Sequence, residues 1–164
     1  MIKQTFLPIL LASFFLWGVA SADLAELLPE ELQNAAGETI SRESLVGKLI
    51  GVYFSAQWCP PCRAFTPRLV QFRNEHQEDF EVVFVSSDRS PADQKRYMKE
   101  YKMDFLTVAH GSDDATKLAR HFGVRGIPHL AIINDRGETV RANARSEVAS
   151  GQEGLVEAWR SPSE

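Results

Sequence analysis

Cysteine is scarce in this chain. Among 164 residues there are two, Cys59 and Cys62, with only Pro60 and Pro61 between them. A scaffold stapled by several bridges is therefore excluded. A structural zinc centre lacks its remaining ligands, since His76, His110, His121 and His129 keep no metal-motif spacing to Cys62. Positive charge is also in short supply: 18 Lys and Arg stand against 22 Asp and Glu, a formal charge of −4. With no basic stripe to compensate, that balance argues against a nucleic-acid partner. Long apolar runs are missing except at the start, where Phe6 to Val19 is almost wholly apolar. That run is shorter than the ~20 residues a helix needs to cross a bilayer.

What is present begins with that run. Lys3 precedes it and Ala20-Ser21-Ala22 follows it with the small side chains of a cleavage site. Residues 1–22 read as a secretory signal peptide, with Asp23 as the first residue of the processed chain. Residues 23–164 then form one domain, long enough for a real core and too short for two comfortable ones. The export signal resembles a bacterial one, so a periplasmic or secreted location is expected.

The chain is organised around Val52 to Leu69, VYFSAQWCPPCRAFTPRL. Leu49 to Phe54 is apolar and β-rich without alternation, as a strand buried on both faces reads. It delivers the chain to Cys59, where a helix is expected to run to about His76, with Phe65, Leu69 and Phe72 facing a sheet. Pro60 and Pro61 suit a first helical turn, whereas Pro67 removes an interior hydrogen bond and should kink the helix. Unpaired N–H groups and the positive dipole end at such a start favour a thiolate on Cys59. Thiol–disulfide exchange is the leading reading, with Cys59 attacking and Cys62 resolving; a purely structural disulfide is the alternative, though so short a loop adds little entropy. Trp58 reads as a flat apolar cover beside the pair, or as core filler.

The remaining pattern alternates strands and helices. Phe80 to Ser86 is a second apolar strand. Ser90, Pro91 and Asp93 mark a helix start leading through Tyr97, Met98 and Tyr101. Phe105 to Val108 is a short extended piece, and Ser112 to His121 a helix with acids early and bases late. Leu130 to Ile133 and Glu138 to Arg141 form a hairpin around Asn134-Asp135-Arg136-Gly137. The tail from Glu153 through Trp159 fits one amphipathic helix. Ahead of the first strand, Asp23 to Leu32 is a short helix or an irregular lead-in, Gly37 to Ile40 a turn and a short extended piece, and Ser41 can cap a brief turn ended by Gly47. Together these elements give a three-layer α/β/α sandwich around a mixed sheet with a C-terminal hairpin. Gly126-Ile127-Pro128-His129 places a proline at the start of a buried strand, and the residues alone leave its peptide bond cis or trans.

The segments YFSAQWCPPC, FVSSDRS (Phe84 to Ser90) and FGVRGIPHLAIINDRGE (Phe122 to Glu138) resemble the thioredoxin superfamily, most closely its tryparedoxin and nucleoredoxin branch. The likeness extends from about Leu45 to Arg141 and implies a thioredoxin-like fold. It implies that Cys59 is the attacking cysteine, Cys62 the resolving one, Pro128 a cis-proline, and Ile127 the residue whose backbone meets substrate. Trp58, Pro60 and Pro61 would shape the site. Tyr53 stands where many thioredoxins carry a buried aspartate, so proton transfer would use water, the Tyr53 hydroxyl or another carboxylate. The implied activity is that of a protein-disulfide reductase, with an oxidase or isomerase and a non-enzymatic binding module as competing readings. Partners would be disulfide-containing or dithiol proteins and a membrane thiol-relay electron donor. The protein is expected to need no metal or cofactor and to act as a monomer.

Overall fold

In a computed structural model the described residues are 24–161, so the signal-peptide reading of residues 1–22 lies outside them. The elements in chain order are α1 (Leu24–Leu27), β1 (Glu31–Gln33), β2 (Thr39–Ser41), a 3-10 turn (Arg42–Leu45), β3 (Leu49–Ser55), α2 (Pro60–Glu75) and β4 (Phe80–Ser86). They continue with α3 (Pro91–Glu100), β5 (Leu106–Thr107), α4 (Asp113–His121), β6 (His129–Ile133), β7 (Thr139–Arg141), α5 (Arg145–Ser150) and α6 (Leu155–Arg160). The seven strands form one mixed sheet in the order β2-β1-β5-β4-β3-β6-β7. Strands β3, β4 and β5 run parallel, and both flanks pair antiparallel.

The central strand explains the layering. Every residue of β3 is buried, because its side chains alternate between two cores. Leu49 and Tyr53 join Phe65 and Leu69 of α2, Tyr97 and Met98 of α3, and Val148, Leu155, Val156 and Trp159 of α5 and α6. Ile50, Val52 and Phe54 point the other way, with Leu24 and Leu27 of α1 and Leu118 of α4. Full burial of such side chains contributes roughly 1.5–3 kcal/mol each. The register Tyr53↔Phe84 and Tyr53↔Leu130 keeps three strands presenting the same face to α2. The sandwich expected from the sequence is the fold observed.

Local chemistry sets the element ends. Ser90 accepts from the Asp93 N–H and Ser112 from the Ala115 N–H, capping α3 and α4. Ser41 caps the 3-10 turn through the Glu43 N–H. The two hairpins at opposite edges of the sheet are closed by the same turn. Asn134 Oδ1 accepts from the N–H groups of Arg136 and Glu138, and its amide donates to the Glu138 carboxylate. Asn34 makes the corresponding bonds to Ala36 and Glu38. Gly37 and Gly137 take φ of 87° and 82°, which is why each turn carries a glycine there.

Two features differ from the sequence reading. The lead-in contains a β1–β2 hairpin, and the tail carries two short helices, with Gly151 and Gly154 at φ 68° and 70° between them. α6 is the tail helix expected from Glu153 to Trp159, whereas α5 ahead of it has no counterpart in the sequence reading; left-handed backbone at the two glycines separates them, and both pack on the same core.

Gly51 shows how tightly the centre is packed. A Cβ there would lie 2.7 Å from Phe80 Cζ and 3.1 Å from Leu130 Cδ1. Phe80 cannot yield freely, being wedged between Phe72 and Trp159 at centroid distances of 5.1 and 6.0 Å. Gly51→Ala is therefore expected to destabilise the protein by about 1–3 kcal/mol in urea or guanidinium unfolding; a neutral or stabilising result would contradict the packing described.

Candidate active site

The end of β3 and the start of α2 meet at Cys59. Pro60 and Pro61 occupy the first two helical positions, where a missing N–H has no intrahelical partner to lose. Cys59 is the N-cap residue, and its Sγ accepts the Cys62 N–H at 3.3 Å. Because neither proline has an N–H, that donor is the first the helix can offer, and it is aimed at sulfur. Cys59 and Cys62 are joined in a disulfide, with their Cα atoms 5.2 Å apart. Cys59 is 3% exposed and Cys62 fully buried, so Cys59 is the outer of the two.

The loop before the helix is held by its neighbours. Asp88 accepts from the Gln57 N–H at 2.8 Å and from Ser86 Oγ at 2.8 Å. The indole N–H of Trp58 donates to the Ser87 carbonyl at 3.0 Å. Trp58 is 54% exposed, so core filling does not describe it. It stands beside the pair as a wall with one polar anchor, shared between two clefts. One, of about 280 Å³, is polar and includes Arg63, Arg89 and Arg96. The other is a largely apolar groove of about 520 Å³, lined among others by Phe54, Trp58, Val85, Ala119 and Ile127.

The Ile127–Pro128 peptide bond is cis. Cys59 Sγ lies 3.7 Å from the Ile127 carbonyl oxygen, so this segment and the cysteine pair form one site although the sequence separates them widely. α2 runs as one element through Pro67, whose missing N–H leaves the Arg63 carbonyl without its usual partner.

Tyr53 is fully buried in β3. Its hydroxyl lies 2.9 Å from Thr66 Oγ1, which is also 2.6 Å from the Tyr97 hydroxyl and donates to the Cys62 carbonyl at 2.9 Å. Ser55 Oγ is 3.1 Å from the Tyr97 hydroxyl. Burial, and after it the neighbouring Tyr97 phenol, raises the pKa of Tyr53 well above the ordinary tyrosine range. Burial also raises that of Tyr97. Ser55, Thr66 and Tyr97 escape sequence reasoning because nothing in their spacing announces that they meet.

A family model described as thioredoxin-like matches residues 47–139. The chain is 39% identical to tryparedoxin from Trypanosoma brucei brucei over 142 residues, which cover 83% of this chain and 96% of that protein. The chain belongs to the thioredoxin superfamily. Its relatives in the tryparedoxin and nucleoredoxin branch include mouse nucleoredoxin, 37% identical over 144 residues. That match covers 85% of this chain and 32% of mouse nucleoredoxin, so the chain spans about a third of the nucleoredoxin's length. The solved tryparedoxin of Trypanosoma brucei superposes with a TM-score of 0.74 at 38% identity, covering 83% of this chain and 96% of that one.

His129 follows the cis bond and packs its ring edge-on to Phe54 at 5.8 Å. Its Nε2 is buried without a partner of good hydrogen-bond geometry among the described residues. Burial lowers its pKa below the ordinary 6.5, opposed in part by the Ala142 backbone. The unfolded chain therefore takes up this proton more readily, and stability falls as pH drops from 6.5 through the lower folded value. His129→Gln should flatten that loss in unfolding measurements below pH 6.5. An unchanged pH dependence, or an imidazole that titrates by NMR above the ordinary value, would contradict the burial described.

Proposed function

We propose that this protein is an exported thiol–disulfide oxidoreductase that reduces protein disulfides through a Cys59/Cys62 dithiol–disulfide cycle. The observation that carries the reading is the Cys62 N–H directed at Cys59 Sγ from the first turn of α2. A donor and a positive helix end at that atom favour a thiolate over a thiol, and the thiolate is the attacking species. Cys59 attacks one sulfur of a substrate disulfide; a mixed disulfide forms and one substrate thiolate leaves. Cys62, having given its proton to solvent, attacks Cys59 Sγ, and the second substrate thiolate leaves. Two electrons pass from the dithiol to the substrate, and the protein ends in the disulfide state.

The cis bond beside Cys59 supports a role for the Ile127 backbone in pairing with an extended substrate segment. Trp58 and the apolar groove next to it offer a face for side chains flanking the substrate disulfide. Pro60 and Pro61 clear the first turn of competing donors. The substrates are proteins with accessible disulfides. With residues 1–22 as a cleaved export signal, the protein works in the periplasm or outside the cell. Reduction there requires electrons delivered through a membrane thiol-relay protein, because the surrounding pool is oxidising.

Single substitutions separate the roles. Cys59→Ser should reduce turnover of a protein disulfide such as insulin to the uncatalysed background. Cys62→Ser should still attack, and should accumulate a mixed disulfide on Cys59 that dithiothreitol releases, seen on non-reducing gels. Capture through Cys62 in the Cys59→Ser protein would invert the assignment, and undiminished biological function in Cys59→Ser would point to a binding module.

A further inference from the structure

Four hydroxyls lie behind the cysteine pair, on Ser55, Tyr97, Thr66 and Tyr53, and all four residues are fully buried. They come from three different elements, β3, α2 and α3, and their bonds leave one consistent proton arrangement. A hydroxyl has one proton to donate and two lone pairs to accept with. Thr66 Oγ1 has three partners: the Cys62 carbonyl, the Tyr53 hydroxyl and the Tyr97 hydroxyl. The carbonyl can only accept, so for all three bonds to be made the Thr66 proton goes to Cys62 and both tyrosines donate to Thr66. Tyr97 then has its lone pairs free, and Ser55 donates to it at 3.1 Å, with the Tyr53 hydroxyl a further neighbour of both. No proton is left over, and every O–H dipole in the chain points towards Thr66 and, through it, towards the backbone of Cys62.

We propose that Tyr53, Tyr97 and Ser55 are positioning residues for the resolving step, acting on Cys62 through Thr66. The chain fixes the Cys62 carbonyl and with it the first turn of α2, so that the Cys62 sulfur is presented to Cys59 in one geometry. It also sets the positive ends of the hydroxyl dipoles on the Cys62 side, where negative charge develops when that thiol gives up its proton. In hydrogen-bonded chains each bond polarises the next, so a donor as remote as Ser55 contributes. Tyr53 thus fills the position of a buried carboxylate with a different device. Its proton is committed to Thr66, and it supports the resolving thiol as a neutral donor rather than collecting its proton, which leaves through solvent. Burial, which keeps both phenols protonated, accords with this.

The inference rests on the exchange cycle proposed above, and a two-phase reaction separates the two. The fully reduced protein is mixed with 5,5′-dithiobis(2-nitrobenzoate). Attack by Cys59 releases one equivalent of thionitrobenzoate; attack by Cys62 on the mixed disulfide releases the second. Absence of a first phase that depends on Cys59 would fail the exchange cycle itself. Given that phase, Tyr97→Phe and Thr66→Val are each expected to slow the second by roughly three- to tenfold, the effect of one lost hydrogen bond. Thr66→Ser, which keeps the hydroxyl, should restore it to within about twofold of the parent, a gap well inside one hydrogen bond's worth. Because Tyr97 acts through Thr66, adding Tyr97→Phe to Thr66→Val should slow the second phase no further. Ser55→Ala, at the far end and least disruptive to packing, should slow it in the same direction. A second phase that is unaltered in folded Tyr97→Phe and Ser55→Ala, fully additive effects in the double variant, or no rescue by Thr66→Ser would each overturn the inference.

Discussion

One hydrogen bond organises this molecule's chemistry: the Cys62 N–H donating to Cys59 Sγ. Its importance comes from what Pro60 and Pro61 take away. An ordinary helix start presents several N–H groups, each free to find water or a side chain. Here the first two are missing, and the next one points at sulfur. The dipole of α2 acts at the same atom, so a local sequence choice and a helix-wide field agree in sign. The remaining structure keeps that turn in place. α2 is anchored to the sheet by Phe65 and Leu69, while Asp88 and Ser87 hold Gln57 and Trp58 on the approach to it.

Around that turn the two sulfurs sit in unlike surroundings. Cys59 faces outward, with the Ile127 carbonyl, Trp58 and the apolar groove nearby, groups that suit contact with a partner chain. Cys62 faces inward, over a wholly buried set of hydroxyls with no charged side chain among them. A site that must first capture and then release benefits from this division. In the proposed cycle the outer sulfur meets the substrate, and the inner environment is insulated from whatever binds. A neutral hydroxyl chain also avoids the desolvation cost of a buried carboxylate, which must otherwise be paired or protonated.

Much of the fold was legible because strong local signals and the tertiary structure agree. The run Leu49 to Phe54 reads as a strand buried on both faces and Phe80 to Ser86 as a second apolar strand, and both are buried on both faces in the sheet. Ser90 announced the helix it caps, and early acids with late bases announced the one that Ser112 caps. The hairpin around Asn134 was visible, whereas its counterpart at Asn34 reads only as a turn and a short extended piece over Gly37 to Ile40, although Asn34 to Glu38 repeats the same Asn, Gly and Glu positions. The difference lies in the flanks: LAII precedes Asn134, while the strands beside Asn34 have three residues each and bury little. The tail helix at Leu155 to Trp159 was legible from its apolar spacing, whereas α5 was not, since its six residues bury only Val148 and have no side-chain cap. At the site, the CPPC turn carried its own signature. The meeting of Ser55, Thr66 and Tyr97 did not, since it depends on the register of β3 against α2 and α3.

The most direct measurement is the redox equilibrium of the Cys59–Cys62 pair in graded dithiothreitol or glutathione buffers, read by thiol alkylation and mass. A reductase of this design should give a reversible two-electron transition with a midpoint nearer roughly −270 mV than −120 mV, the span of known exchangers of this fold. A midpoint close to −120 mV would contradict the reducing direction. A pair that exchanges electrons with no dithiol would contradict the central claim that these two sulfurs are the working part of the protein.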